Sequence, residues 1–563
     1  MEPIWLKGYP EGVPANADIH AFRSLIEMFD RGVSAFCERA ALISMGTRLS
    51  YGDVDRLSAQ FGAWLQQVAG LKPGARVALM MPNLLQCPVC IFGTLRAGYV
   101  VVNCNPLYTP RELEHQLVDS GAEAIVIVET CAWALAEVLS RTQVRHVVVT
   151  SVGEMLHTAR GMMVNFAVRR MRHMVKPYHL PGAVSLRAAL SRAQALALDP
   201  ADPGPEDVAL LQYTGGTTGV PKGAMLTHGN LVANVEQSYA WFKPIIQAGR
   251  EMGLTPLPLY HIFALMLTML FFRMGAPNVL VVDPRNVRAL IAELRRYPIT
   301  AMPGVNTLFN ALANHPDLAK ADLSNLRLSV AGAMAVHRAV AERWHKVTGY
   351  PLIEAYGLTE TSPAATANPL DIPEYTGSIG LPLPSTEVAI RDNDGHDLPL
   401  GERGELCIRG PQVMKGYWNR PDETAKVMMP DGFLRTGDIA VMDERGYLRI
   451  VDRKKDMIIV SGFNIFPSEI EQVVSMHPGV EDVGAVGVPD QARGEVVMIF
   501  VIKRDPSLTK DDLLTHCREH LTGYKVPHHI AFAEDLPRTN VGKILRRALR
   551  EIAAQERGKR DAA

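Results

Sequence analysis

Long apolar runs alternate with amphipathic segments through the first two-thirds of the chain. The runs RVALMMPN, AEAIVIVET and VRHVVVT begin at Arg76, Ala122 and Val144, and their nearly unbroken apolar character predicts buried strands. The segment YGDVDRLSAQFGAWLQQVAG, from Tyr51, has apolar residues at helical spacing and a glycine at its end, which predicts a helix. This alternation predicts an α/β fold in which sheets and helices form layers.

The pattern changes towards the C-terminus, where glycines separate short strands, as in GELCIRG and GYLRIVDRKKDMIIVSG. The charged run DRKKD interrupts two apolar strands. We therefore expect a large N-terminal domain, residues 1–453, and a small mobile α/β C-terminal domain, residues 454–563. The alternative is that DRKKD forms a solvated hairpin turn.

Composition narrows the functional classes. The 58 basic and 59 acidic residues give a net charge of -1, so no overall field attracts nucleic acid and none is expected as a partner. Seven scattered cysteines predict reduced thiols, and the N-terminal segment lacks the apolar core of a signal peptide, so we expect a cytoplasmic protein. The lone pair Cys87 and Cys90 has apolar flanks and predicts a buried strand or helix rather than a zinc site. The most apolar stretch, residues 264–272, ends at Arg273 and is too short to span a bilayer.

The strongest chemical signal is the segment YTGGTTGVPKG, which combines glycines, threonines and one lysine. Glycines allow close backbone approach, threonines supply hydroxyl donors and Lys222 supplies a cation, which together predict a polyphosphate-binding loop. Lys222 lies between Pro221 and Gly223, so the loop is not a Walker A motif. The alternative is a flexible Gly/Thr turn. The candidate nucleotide-binding residues of the loop are Tyr213, Thr214, Gly215, Gly216, Thr217, Thr218, Gly219 and Lys222.

This segment resembles the phosphate-binding motif of the adenylate-forming superfamily. Further motifs of that superfamily follow in the expected order, namely PLYHIFAL, VAGAM, YGLTE, GELCIRGPQVMKGYW, RTGD, GYLRIVDRKKDMIIVSGFNIFPSEIE and PRTNVGKILRR. The run from DGFLRTGD to FPSEIE is similar to the corresponding motif of bacterial long-chain fatty acyl-CoA synthetases. The resemblance covers almost the whole chain. It implies activation of a long-chain fatty acid with ATP and Mg²⁺ and transfer of the acyl group to CoA.

Glu360, in YGLTE, is the candidate metal ligand, because one carboxylate together with phosphate oxygens commonly holds Mg²⁺. The resemblance implies that Thr359 binds the α-phosphate and that Tyr356 lies beside adenine. Without it, this turn could equally be a helix cap. Asp438 suits the two ribose hydroxyls, and Arg453 is expected to assist it.

Further roles are implied by the resemblance. Lys543 would be the catalytic lysine of adenylation, although on sequence alone it is one cation on the basic face that also holds Arg546, Arg547 and Arg550. Lys455 matches the hinge position, and His261 would lie where the acyl and pantetheine tunnels meet. The remaining candidate nucleotide and CoA contacts are Gly332, Ala333, Gly357, Ser461, Gly462 and Phe463. The candidate acyl-channel residues are Phe263, Gly304, Val305, Leu308 and Met334.

The segment GMMVNFAVRRMRHMVKPYHL, from Gly161, places Val164, Ala167, Met171 and Met174 at helical spacing. It predicts a basic amphipathic helix, which suits peripheral contact with anionic lipid at the inner face of the cell membrane; the alternative is an ordinary surface helix. Two rival functions remain open. One is acyl transfer to a carrier protein instead of CoA, and the other is a fatty-acid importer or scaffold without chemistry. We also expect a homodimer as the assembly of the protein.

Overall fold

The computed structural model of the 563-residue chain describes residues 3–214, 221–372, 375–461, 463–490, 493–539 and 544–561. The helices are α1 Leu25–Phe36, α2 Tyr51–Ala63, α3 Gln86–Arg96, α4 Pro110–Ser120, α5 Ala132–Val138, α6 Thr158–Phe166, α7 Leu186–Arg192, α8 His228–Phe242, α9 Ile262–Arg273, α10 Val287–Arg296, α11 Asn306–Ala313, α12 Arg338–Thr348, α13 Pro421–Val427, α14 Pro467–Ser475, α15 Lys510–His520 and α16 Arg546–Asp561.

The strands are β1 Ala40–Ser44, β2 Thr47–Ser50, β3 Arg76–Met80, β4 Val100–Cys104, β5 Ala124–Val128, β6 His146–Thr150, β7 Val184–Ser185, β8 Val208–Thr214, β9 Lys222–Thr227, β10 Gly253–Thr255, β11 Asn278–Leu280, β12 Ala301–Gly304, β13 Leu328–Ala331, β14 Leu352–Gly357, β15 Ala364–Ala367, β16 Leu381–Pro382, β17 Glu387–Arg391, β18 Gly404–Arg409, β19 Gly416–Tyr417, β20 Leu434–Met442, β21 Leu448–Arg453, β22 Ile458–Val460, β23 Phe463–Ile465, β24 Val480–Asp490, β25 Gly494–Lys503 and β26 His529–Phe532.

Two large sheets build the N-terminal part, as the α/β prediction requires. One has eight strands in the order β19-β9-β8-β4-β3-β5-β6-β7, and the other has nine in the order β16-β15-β14-β13-β12-β10-β11-β1-β2. The three predicted apolar strands are confirmed as β3, β5 and β6, which pair in parallel. Helices cover both faces of such a sheet, so its strands are apolar throughout.

The predicted helix from Tyr51 is confirmed as α2, and its first turn shows why it begins there. Ser50 accepts a hydrogen bond from the backbone N–H of Asp53, whose carboxylate in turn accepts from the Ser50 N–H. This capping box satisfies two donors that the helix cannot satisfy internally. The helix continues as a π turn over Trp64–Val68.

A smaller antiparallel sheet, in the order β17-β18-β20-β21, leads into the C-terminal part. There β23, β22, β25 and β24 form a further sheet that β26 extends by pairing with β25. Its apolar residues pack into two clusters around Ile499 and Val486, separate from the cluster that fills the N-terminal part.

Two expectations about single segments have different outcomes. Cys87 and Cys90 lie in α3 and are buried, which confirms the helix reading, and burial raises the pKa of both thiols well above the usual value. The predicted basic helix is shorter than expected. α6 begins at Thr158, a π turn covers Ala167–Met171, and His173 adopts a φ of 48° that no helix can continue through. Among the described residues, no helix is both long and apolar enough to cross a bilayer.

Candidate active site

The predicted polyphosphate-binding segment falls between two antiparallel strands of the eight-stranded sheet. β8 ends at Thr214 and β9 begins at Lys222, and these two residues are opposite each other in the register. Tyr213 supports the base of the hairpin by donating a hydrogen bond from its hydroxyl to Asp119 at 2.7 Å. The predicted binding residues Gly215, Gly216, Thr217, Thr218 and Gly219 lie outside the described residues.

The side chain of Lys222 points towards α13. Its Nζ atom lies 2.8 Å from Glu423 Oε2 and 4.5 Å from the centre of the Tyr417 ring. Glu423 also pairs with Lys426, and the two lysines hold the pKa of its carboxyl down at about 2. Lys222 is thus held on the α13 side of the hairpin by its ion pair with Glu423.

Glu360 lies in a 3₁₀ turn, Thr359–Thr361, directly after β14. The Tyr417 hydroxyl donates to its Oε1 atom at 2.6 Å, and no described residue donates to Oε2. Among the described residues, Glu360 therefore has one carboxylate oxygen without a hydrogen-bond donor, and Thr359 precedes it in the same turn. That donor set fits Mg²⁺, which usually takes one or two protein carboxylates and completes its shell with water and phosphate.

A hydrogen-bonded trio lies beside this turn. Tyr356, in β14, donates to Asp438 Oδ2 at 2.6 Å, and Arg453 Nε lies 3.0 Å from Asp438 Oδ1. Asp438 and Arg453 are opposite each other in the β20–β21 register, and the Asp438 side chain is only 3% exposed. Burial, together with the Asp438 charge, raises the pKa of Tyr356, so its hydroxyl keeps the proton that it donates. Gly357 follows in β14, where a Cβ atom would lie 1.7 Å from the Pro363 carbonyl oxygen.

A cavity of about 290 Å³ lies beside Glu360. Glu360 and Tyr417 line it on one side, and Gly437, next to Asp438, lines it on the other. The candidate metal ligand therefore faces this cavity, and the candidate ribose ligand Asp438 is the chain neighbour of a residue in its wall.

Three of the predicted acyl and nucleotide residues meet at the ends of β12 and β13. The Gly332 N–H donates to the Gly304 carbonyl at 3.3 Å, and a Cβ on Gly332 would lie 3.1 Å from the Phe263 ring. Ala333 has a φ of 65°, which turns the chain away from the sheet. The aromatic ring thus uses the space that glycine leaves.

The other acyl candidates are apolar neighbours of this point. Val305 and Leu308 are buried, and Met334 is half-buried against the same core. His261 caps α9 by accepting a hydrogen bond from the Phe263 N–H at 3.3 Å. Desolvation lowers the pKa of His261 to about 4, so its imidazole is neutral at neutral pH.

The C-terminal candidates are not gathered at this cavity. Ser461 has a φ of 51°, and the Phe463 ring, 55% exposed, stacks on Tyr524 at 4.7 Å within the C-terminal sheet region. Lys455, in the connecting turn Lys454–Asp456, has a lowered pKa because of burial and the nearby Arg453 charge. Gly462 and Lys543 lie outside the described residues.

Sequence reasoning missed three residues that complete the site. Tyr417 contacts Glu360, Glu423 pairs with Lys222, and Glu405 pairs with Arg435 at 3.2 Å beside the cavity. Tyr417 and Glu405 lie within the motif GELCIRGPQVMKGYW, but nothing in that motif indicates which of its side chains point inward.

The sequence matches the family described as AMP-binding enzyme over residues 29–418 and the AMP-binding enzyme C-terminal domain over residues 469–543. It is 54% identical over 562 residues to the long-chain-fatty-acid–CoA ligase of Escherichia coli O6:H1, covering 100% of both chains. It is 35% identical over 515 residues to the feruloyl-CoA synthase of Amycolatopsis sp, covering 90% of this chain and 94% of that one. The solved structure of ATP-bound MatB from Rhodopseudomonas palustris superposes with a TM-score of 0.80 at 28% identity, over 94% of this chain and 98% of that one. The chain therefore belongs to the AMP-binding enzymes and, within them, to the family of the long-chain-fatty-acid–CoA ligases.

Proposed function

We propose that this protein activates a long-chain fatty acid with ATP and transfers the acyl group to CoA, giving acyl-CoA, AMP and pyrophosphate. The observation that carries the proposal is the cavity that Glu360, the candidate metal ligand, lines together with Gly437, the chain neighbour of Asp438 in the hydrogen-bonded trio. Lys222 is held near this cavity by its contacts with Glu423 and with Tyr417, which bonds Glu360. The 54% identity to a long-chain-fatty-acid–CoA ligase, over the full length of both chains, supports the substrate class.

The chemistry proceeds in two steps. A carboxylate oxygen of the acid attacks the α-phosphorus of ATP, the bond from that phosphorus to the bridging oxygen breaks, and pyrophosphate leaves with the electron pair. The sulfur of CoA then attacks the acyl carbon, AMP leaves, and the thiol proton passes to solvent. The free acid is a poor acyl donor, which is why ATP must activate it. Because the reacting groups are anionic, the enzyme contributes mainly positioning and charge neutralisation.

We assign the nucleotide contacts as follows. Asp438 accepts the ribose hydroxyls with help from Arg453, and Tyr356 lies beside adenine. Glu360 would hold Mg²⁺, which would supply charge neutralisation on the phosphates. The Thr359 hydroxyl contacts the α-phosphate. The remaining nucleotide contacts are Tyr213, Thr214, Gly215, Gly216, Thr217, Thr218, Gly219, Lys222, Gly332, Ala333 and Gly357.

The other assignments concern the acid, CoA and the C-terminal domain. Phe263, Gly304, Val305, Leu308 and Met334 line the start of the acyl channel, and neutral His261 fixes the backbone at its entrance. The domain of residues 454–563 rotates about Lys455 after the first step. CoA is then contacted by Ser461, Gly462 and Phe463. Lys543 serves the first step only.

The substrate assignment is tested by CoA-thioester formation across acids of graded length, with ferulate included because a feruloyl-CoA synthase is a relative. Each added methylene in the channel contributes about 0.8 kcal/mol, so kcat/KM should rise with length until the channel is full. A preference for ferulate would contradict the assignment. If the acyl group were transferred to a carrier protein and not to free CoA, the result would support the rival acyl transfer to a carrier. If acid and ATP released no pyrophosphate, the result would support the importer or scaffold.

Lys543→Ala separates the two steps. We expect pyrophosphate release from acid and ATP to fall by at least about 100-fold, since the variant loses a cation at the reacting centre. Thioester formation from synthetic acyl-AMP and CoA should stay within about threefold of the unaltered protein, because the lysine is not needed there. Equal loss in both steps would contradict the role.

We further propose that the segment around α6 contacts an anionic membrane. Between Glu154 and Asp199 the chain holds seven Lys or Arg residues and no Asp or Glu. Six large apolar side chains are exposed there, namely Met162, Met163, Phe166, Met171, Met174 and Tyr178. Such a cluster of exposed apolar and basic groups is typical of an interfacial membrane segment.

Sedimentation with phosphatidylglycerol-containing vesicles tests this contact. Arg170→Glu with Arg172→Glu should weaken binding at least about tenfold, because each basic residue near an anionic surface contributes about 1 kcal/mol. The matched control is Lys7→Glu with Lys72→Glu, which makes the same charge change at exposed residues outside the segment. Equal effects of the two pairs would contradict a specific surface. Sedimentation equilibrium of the same preparation tests the expected homodimer.

A further inference from the structure

The cavity beside Glu360 has a second set of lining residues that the nucleotide does not account for. Lys426, Arg435 and Lys454 reach its wall from α13, β20 and the connecting turn. Three cations from three separate elements surround a space of about 290 Å³ that also contains the candidate metal ligand. Cations gathered in this way are typical of a site for a small multivalent anion.

One buried carboxylate holds two of these cations in place. Glu405, 6% exposed, lies 3.2 Å from Arg435 Nη1 and 3.1 Å from Lys454 Nζ, and its other oxygen accepts from the Gly437 N–H at 3.1 Å. The Glu405 carboxylate is therefore occupied by Arg435, Lys454 and the Gly437 N–H. Their remaining N–H groups are available to a ligand in the cavity.

The third cation connects the cavity to the polyphosphate-binding loop. Lys426 shares Glu423 with Lys222, and Tyr417 lies between Lys222 and Glu360. The side-chain exposure rises from 25% for Arg435 to 38% for Lys454 and 67% for Lys426. Cations thus extend from the part-buried wall of the cavity, at Arg435, to its solvent-exposed rim, at Lys426.

We infer that this cavity receives the pyrophosphate expelled in the adenylation step and conducts it to solvent. The inference rests on the proposed function, which supplies the anion. With Mg²⁺ neutralising Glu360, the four cations Lys222, Lys426, Arg435 and Lys454 are paired, in the described part of the chain, with only two carboxylates, Glu423 and Glu405. The cavity region therefore favours a ligand with at least two negative charges. Lys454 immediately precedes the proposed hinge residue Lys455, so the backbone change that accompanies domain rotation would shift this wall of the cavity.

The test measures inhibition of adenylation by inorganic pyrophosphate, competing with ATP, in the full-length protein. Lys426→Gln and Lys454→Gln should each raise the inhibition constant roughly threefold, and the double variant roughly tenfold, because each removes one partly solvated charge–charge contact. The KM for ATP should change less than about twofold, because ATP is held by the loop and the Asp438 trio. Lys454→Arg should restore the inhibition constant, since it keeps the charge.

The matched control is Lys320→Gln. Lys320 pairs with Asp317 at 2.6 Å and is 65% exposed, whereas Lys426 pairs with Glu423 at 2.5 Å and is 67% exposed, and both pairs are three residues apart on the chain. An unchanged inhibition constant in the double variant would overturn the inference. So would a parallel rise in the KM for ATP, which would mean that the lysines bind ATP itself. Absence of pyrophosphate release by the unaltered protein would instead reject the proposed function.

Discussion

At the scale of single residues, the buried carboxylates Asp438 and Glu354 differ in how their charge is satisfied. Asp438 has both the Tyr356 hydroxyl and the Arg453 guanidinium as partners. Glu354, two residues before Tyr356, accepts only from the Val336 N–H at 3.2 Å, and no described Lys or Arg pairs with it. Burial therefore raises the pKa of Glu354 to about 7. Its ionised form is unfavourable in the folded protein.

Glu354→Gln should stabilise the protein in a pH-dependent way. The folded pKa lies above the unfolded value, so the stabilising contribution of Glu354 is complete below pH 4.5 and is lost as pH rises through about 7. Glutamine keeps the acceptor for Val336 and cannot ionise. We expect equal melting temperatures at pH 4.5 and a higher one for the variant at pH 8, with a gain of at most about 3 kcal/mol. A pH-independent difference would contradict a titrating Glu354.

At the scale of elements, β14 is where a core strand becomes part of the site. Its first half pairs in parallel with β13, and its end pairs antiparallel with β15. Gly357 is needed at this change, because a Cβ there would lie 1.7 Å from the Pro363 carbonyl oxygen. A contact this close is far inside van der Waals distance, so the backbone must move.

Gly357→Ala should therefore displace the turn that carries Thr359 and Glu360. We expect pyrophosphate release to fall by about 100-fold or more, because a misplacement of about 1 Å at a reacting centre has effects of that size. Gly204→Ala is the control, since a Cβ there would meet only Asp207 Oδ2 at 3.7 Å. Loss of activity in both variants, or in neither, would contradict the role of this glycine.

Individual strands and helices also show which features of the fold the sequence can predict. The strands β3, β5 and β6 were predictable because a buried parallel strand is apolar at every position. The helix from Gly161 was predicted too long. Hydrophobic periodicity reveals neither the π turn over Ala167–Met171, which rotates the following side chains, nor the left-handed backbone at His173. The contacts of Tyr417 with Glu360 and of Lys222 with Glu423 join residues 57 and 201 positions apart, which no local pattern contains.

At the scale of the whole molecule, a buried ionic cluster joins the two proposed domains. Asp452, near the end of β21, accepts a hydrogen bond from the Ser468 N–H at 2.8 Å. The Ser468 hydroxyl shares its proton between the same carboxylate, at 2.8 Å, and the Val451 carbonyl oxygen, at 2.5 Å. Arg546 lies 3.4 Å from Asp452 and 2.7 Å from Glu471. Asp452 precedes the proposed hinge Lys455, whereas its partners follow it, so domain rotation must break these contacts. The arrangement that they hold superposes on ATP-bound MatB with a TM-score of 0.80.

Ser468→Ala should weaken this arrangement without leaving a charge unpaired, because Asp452 keeps Arg546 and the Ser468 N–H. A hydrogen bond to a carboxylate contributes about 1.5–3 kcal/mol, so the equilibrium constant that favours the ATP-bound-like state should fall by at least about tenfold. Pyrophosphate release should slow accordingly, while thioester formation from synthetic acyl-AMP should be unchanged or faster. Ser475→Ala is the matched control, because Ser475 ends the same helix and donates only to the Gln472 carbonyl within it. If Ser468→Ala slowed both steps equally, the cluster would stabilise the C-terminal domain as such, and its contacts to Asp452 would not select between two domain arrangements.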